Sequence, residues 1–273
     1  MKGMRQEAGY PPVSCLLSKA MKKRKEGPAV IRLWAVAVWL LVWQAAAMLI
    51  GRELLLPSPV RVLLRLSELV QTPRFWQSAA GSLQRISLGF TAAGAAGTLL
   101  AALAARFRRA EELITPAMLA VRTVPVASFI ILALIWFSAG NLSLLISFLM
   151  VLPVLYTNVL SGIRTVDPQL SEMARVFRIP LWRRIRCVLL PQVMPSFRAG
   201  LTLGLGLCWK SGIAAEVIGM PRGTIGERLQ QAKVFLETAD VFAWTVVIVG
   251  ISVLFERLVL WLAAMAERRL ERV

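Results

Sequence analysis

A chain of 273 residues that is 57% hydrophobic, with a mean hydropathy of +0.66, is too apolar for an ordinary water-soluble domain. Its formal charge of +17 would suit a nucleic-acid partner, but the basic residues collect between long apolar runs, which argues against that reading.

Six apolar runs, at about 29–50, 86–105, 114–137, 142–163, 199–220 and 241–265, are each long enough to cross a hydrocarbon core of roughly 30 Å. Only helices and closed barrels can span lipid, and these runs are far too long for barrel strands. The expected fold is an all-α polytopic membrane protein with six transmembrane helices, a single membrane domain over 29–273 behind a basic tail, 1–28. With the N-terminus inside, 21 of the 32 lysines and arginines fall on the inner side, 8 on the outer side and 3 within spans. That bias predicts a bacterial cytoplasmic (inner) membrane protein with both termini cytoplasmic. There is no histidine, which removes most zinc and imidazole chemistry, and Cys15, Cys187 and Cys208 are too scattered to suggest a disulfide or a metal cluster.

The tail carries Pro11-Pro12 and Lys22-Lys23-Arg24-Lys25 but no apolar core with a cleavage site. It reads as a disordered anchor against anionic headgroups, or, if translation begins at Met21, as a short ordinary tail. After the first run, Ser58 is placed to cap a helix whose first residue is Pro59. Val60, Leu63, Leu64 and Leu66 form its apolar side, which predicts a short helix at the outer interface. The second run is rich in glycine and alanine, the composition of a tightly packed structural helix in lipid. The third contains Arg122-Thr123-Val124-Pro125, where the proline should bend the helix. The fourth includes Pro153 and Tyr156.

Between the fourth and fifth runs lies a polar, arginine-rich stretch that includes Leu170–Pro191. Asp167 and Pro168 are a helix-start signal, and Leu170, Met173, Ala174 and Phe177 recur at i, i+3, i+4 and i+7. Ile179 before Pro180 ends that helix, Pro180 opens a second one, and Pro191 is expected to interrupt it. Two short amphipathic helices in a sharp bend have the form of a knob that fits a groove on another protein.

Glu172-Met173-Ala174, with Arg178 six residues after the glutamate and Val188-x-Leu190-Pro191 beyond, resembles the E-A-A…G…I-x-L-P loop of ABC-importer permeases. Met173 replaces the first alanine, and Arg178 stands where the family usually has glycine. If the turn needs a positive φ, arginine there would cost on the order of 1 kcal/mol; the expectation is that Ile179-Pro180 makes the turn by another route. Leu55–Leu66 (LLPSPVRVLLRL), Trp76 and Ser82–Phe90 (SLQRISLGF) look like the nitrate/sulfonate/taurine branch of these permeases. The resemblance implies a type I importer permease fold and a coupling loop, 164–191, carrying Glu172, Met173, Ala174, Phe177, Arg178, Leu190 and Pro191. It also implies ABC ATPase subunits docked on that loop, an extracytoplasmic substrate-binding protein and a second permease copy, in a homodimer. No cofactor is expected on this chain itself, since ATP and Mg would be held by the ATPase.

In the fifth run Gly200 and Gly204 have close-packing spacing, and Lys210 and Glu216 are charges at membrane depth. Together with Arg122 they are candidates for the translocation path or its gate, or alternatively for structural pairs. Lys210-Ser211 lacks the glycines of a phosphate loop, so this chain is not expected to hydrolyse ATP. The polar stretch Pro221–Asp240 is placed to meet the binding protein. A small anion such as a sulfonate, taurine or nitrate is the substrate class that the branch implies, with a pyrimidine or vitamin precursor as the alternative. Two other classes compete with this reading. A secondary transporter should show duplicated halves, and no convincing repeat is present. A polytopic enzyme would need a cluster of polar groups at one depth.

Overall fold

The computed structural model describes residues 33–178 and 180–271, all helical or in connecting turns, with no strand among them. The basic tail and the first residues of the first apolar run lie outside the described residues. The helices are α1 Leu33–Ile50, α2 Pro59–Val70, α3 Pro73–Arg106, α4 Arg108–Thr123, α5 Val126–Trp136 and α6 Ala139–Arg164. They continue with α7 Pro168–Val176, α8 Leu181–Arg184, a π-turn Ile185–Leu189, α9 Leu190–Gly219, α10 Ile225–Val234 and α11 Thr238–Glu271.

Four helical segments are long and apolar enough to cross a membrane: Pro73–Arg106, Ala139–Arg164, Trp182–Gly219 and Thr238–Arg268. The third run forms a broken pair, α4 and α5, bent by 105°. The break follows from Pro125: Val124 ahead of it is driven to φ −75°, ψ 132°, outside the helical region, so the expected bend is a complete interruption. The first run gives the 18-residue α1, about 27 Å long and so close to one hydrocarbon thickness.

The core is a three-helix stack with α6 in the middle, α3 on one side and α9 on the other. The predicted Gly200–Gly204 pair is where α9 meets α6. A Cβ on Gly200 would sit 2.9 Å from the Asn158 Cβ, and one on Gly204 would sit 3.2 Å from a Val151 methyl. Ile86, Phe90, Leu155, Tyr156 and Leu205 fill the seams, all nearly inaccessible. Tyr156 also shares a hydrogen bond of 3.0 Å with Thr115, which holds α4 to α6. By contrast only 6% of the most apolar window of α11 is buried within this chain, so most of that helix is left open to lipid or to a partner.

At the end of the bundle opposite the 164–191 loop, Ser58 caps α2 by accepting from the Arg61 N–H at 3.3 Å, with Pro59 as its first residue. The packed side of α2 is Val62, Leu66 and Leu69, while Val60, Leu63 and Leu64 remain exposed. Arg65 fixes α2 to α11 by donating to both oxygens of Asp240, and it reaches Glu68 at 2.8 Å. These two carboxylates hold the Arg65 guanidinium above its ordinary pKa.

Pro191 does not interrupt the second loop helix. The chain runs through the π-turn into α9 as one helical path from Trp182 to Gly219. Pro191 and Pro195 lack N–H donors, and the ladder adapts by widening: Leu190 N–H bonds to the Ile185 carbonyl, five residues back.

Candidate functional site: an exposed loop and the charges of α9

Asp167 starts α7 as predicted, its Oδ1 accepting from the Gln169 N–H at 2.8 Å. Its own N–H donates at 2.9 Å to the Gln192 side chain, whose amide nitrogen donates at 3.1 Å to the Val188 carbonyl. Gln192 therefore staples the entry of the loop to the π-turn at its exit. The sequence reading overlooked it, because nothing local marks a glutamine as the partner of a backbone 25 residues away.

Of the predicted apolar stripe, Ala174 alone is buried, at 1% exposure. Met173 and Leu170 are about half open, and Phe177 is 73% exposed. Val176, Trp182 and Ile185 are also exposed, with Arg178, Arg183 and Arg186 among them. Glu172 is exposed on α7, and Leu190 and Pro191 lie exposed at the start of α9. A concave patch between the two limbs is lined by Phe177, Arg178, Pro180, Arg183, Cys187 and Val188. Aromatic and arginine side chains presented together on a bent projection have the composition of an interface hot spot.

Arg178 corrects one expectation. Its φ is +50°, so Arg178 itself takes the left-handed geometry that favours glycine. Replacing Arg178 by glycine is therefore expected to stabilise the loop by about 1 kcal/mol, read as slower proteolysis between α7 and α8. Unchanged cleavage would show that the left-handed turn carries no strain.

The three charged candidates are not brought together. Arg122 is exposed in the last turn of α4, just before the break, and Lys210 is exposed about two-thirds of the way along α9. Neither has an ion-pair partner among the described residues. Glu216, by contrast, is fully buried. Its Oε2 accepts from the Ser82 hydroxyl of α3 at 2.6 Å and from the Gly226 N–H of α10 at 3.3 Å. Ser82 Oγ in turn accepts from the Ile225 N–H at 2.9 Å. Glu216 thus joins three helices and pairs with neither Arg122 nor Lys210. Ser82 was missed, since one serine in a helix start rich in polar residues gives no signal.

The family described as "Binding-protein-dependent transport system inner membrane component" matches residues 96–272. The chain belongs to that family. The provisionally named aliphatic sulfonates transport permease protein SsuC of Bacillus subtilis (strain 168) is 32% identical over 214 residues, covering 77% of each chain. The taurine transport system permease protein TauC of Escherichia coli (strain K12) is 31% identical over 228 residues, covering 81% of this chain and 82% of that one. A crystal structure of an amino acid ABC transporter with histidines superposes with a TM-score of 0.56 at 20% identity, over 75% of this chain and 97% of that chain. At that identity the superposition speaks for the fold. The protein is a multi-pass permease subunit of a binding-protein-dependent ABC importer, and its fold is that of the type I importer permeases, as the sequence reading expected.

Proposed function

We propose that this permease imports a small sulfonate-type anion, and that the segment 164–191 is where an ATPase subunit docks. In this reading ATP and Mg are held by that separate subunit. Two permease copies form a homodimer, each offering one loop to one of two ATPases, and the loop end of the bundle is cytoplasmic. The sulfonate and taurine relatives support the substrate class, and an extracytoplasmic binding protein supplies most of the selectivity. Lys210, a lone cation at mid-span, belongs on a face that meets water or a partner rather than lipid.

One observation carries the docking assignment: in the exposed patch of Phe177, Trp182 and several arginines, the limb that begins at Trp182 runs without a helix break into α9. Closure of the ATPases would pull the loop, and α9 would move with it. The test is purification of the tagged chain in mild detergent, with identification of co-purifying proteins and an ATPase assay. A nucleotide-hydrolysing subunit in equal number is expected, with hydrolysis stimulated by the loaded binding protein. Glu172→Ala is expected to lower that stimulation about tenfold, the scale of one interface hot spot, with membrane insertion intact. A chain that purifies alone and transports in liposomes without ATP would overturn the reading.

A further inference from the structure

The end of α9 away from the loop is built as a joint. Gly219 ends the helix, and Met220, at φ +47°, turns the chain back, its N–H bonding to the Glu216 carbonyl at 2.8 Å. Five residues on, α10 begins directly against the same turn of α9. A Cβ on Gly226 would lie 2.2 Å from the Glu216 Cβ and 2.5 Å from its carbonyl carbon, so only glycine lets the two backbones meet. The first two N–H groups of α10, on Ile225 and Gly226, are taken by Ser82 and Glu216. Thr224 occupies the next, accepting from the Glu227 N–H at 3.2 Å. A carboxylate at this position also answers the positive end of the α10 dipole.

A fully buried carboxylate is an expensive way to hold two helices together. Its other oxygen, Oε1, makes no hydrogen bond of ordinary geometry, although the buried Ser143 hydroxyl and the Arg85 guanidinium are near enough to act on the carboxylate. Well-packed apolar side chains serve stability at least as well, whereas the directed bonds to Ser82 and Gly226 hold one particular arrangement. What that arrangement fixes is α10, which ends in the exposed apolar tip Val234, Phe235 and Leu236 beside Lys233 and Glu237.

We propose that Glu216 is a positioning residue that fuses α10 to α9, so that docking of the binding protein on the α10 side is transmitted to the helix that carries the coupling loop. This rests on the importer reading above. Through Ser82 the same carboxylate references α10 to α3, a helix of the central stack. The three elements α3, α9 and α10 then keep one relative geometry while the rest of the outer surface is free to change.

The experiment uses the full complex of permease, ATPase and binding protein in lipid nanodiscs. It reads hydrolysis without binding protein, and the concentration of loaded binding protein that gives half-maximal stimulation. Glu216→Ala is expected to raise that concentration, or cut the maximal stimulation, by about tenfold, while unstimulated hydrolysis stays within about twofold. Glu216→Gln keeps an oxygen acceptor for the same two donors and should restore most of the response. Ser82→Ala, a small change that removes the hydroxyl bridge, should give an intermediate loss. Wild-type stimulation in Glu216→Ala overturns the proposal. If that variant does not assemble, Ser82→Ala decides: a wild-type response overturns the proposal, and a reduced one with unstimulated hydrolysis intact supports it. Absence of stimulation in the wild-type complex would instead sink the importer reading, whatever the variants do.

Discussion

Gly89→Ala is expected to lower the unfolding temperature of the detergent-solubilised permease by several degrees, whereas Gly94→Ala, five residues along the same helix, should raise it slightly. At Gly89 the new Cβ would lie 2.4 Å from the Leu144 carbonyl oxygen and 3.0 Å from the Ser147 Cβ, so α3 would have to back away from α6. A backbone oxygen cannot swing aside as a side chain can. Overpacking of this kind costs about 1–3 kcal/mol, or roughly 2–10 °C for a chain of this size. At Gly94 the new methyl would meet only a Leu155 methyl, at 3.9 Å, an ordinary contact. The helix would then gain up to about 1 kcal/mol from the lost backbone freedom. Thermal unfolding followed by size-exclusion fluorescence distinguishes the two. Equal shifts would mean that α3 and α6 are not packed as described.

The second large effect is expected at the projecting loop. Phe177 and Trp182 are both 73% exposed, so neither contributes much to the packing of the isolated chain. Changing either to aspartate should leave expression and unfolding temperature within about 0.5 kcal/mol of wild type. The same change in the centre of a desolvated docking patch should cost at least about 2 kcal/mol of association, a thirtyfold or greater loss of ATPase binding. Isothermal binding or co-purification at controlled concentration reads this directly. If both aspartate variants bind the ATPase as well as wild type does, the patch faces something else and the docking assignment falls.

Hydropathy marked the long apolar helical regions, though not α10 in the polar Pro221–Asp240 stretch, because a membrane span is defined by its own residues: about twenty apolar side chains need no partner to declare themselves. The helix caps at Ser58 and Asp167 were legible for the same reason, since a cap bonds to a backbone group two or three positions away. The misreadings share the opposite cause. Pro191 looks like a stop, yet a proline near the start of a helix can be absorbed when the preceding turn widens, and that depends on what the freed carbonyls find. Gln192 bonds across 25 residues and Ser82 across more than a hundred, distances at which spacing carries no information. Arg178 was misjudged because a non-glycine residue at positive φ is uncommon, and the surrounding bend outweighed that preference. For Glu216 the sequence showed the depth of the charge but not which neighbours surround it.

The unbroken path from Trp182 to Gly219 has a mechanical meaning. Thirty-eight residues of helix measure about 57 Å, nearly twice the hydrocarbon thickness. A rod of that length pivoting near one end by about 15°, the scale on which packed protein units rock, sweeps its far tip through about 15 Å. Such a lever exchanges force for travel. A short stroke applied at the arginine-rich end would reach the Glu216 joint at the other end and move α3 and α10 with it, whereas a flexible hinge at Pro191 would absorb it.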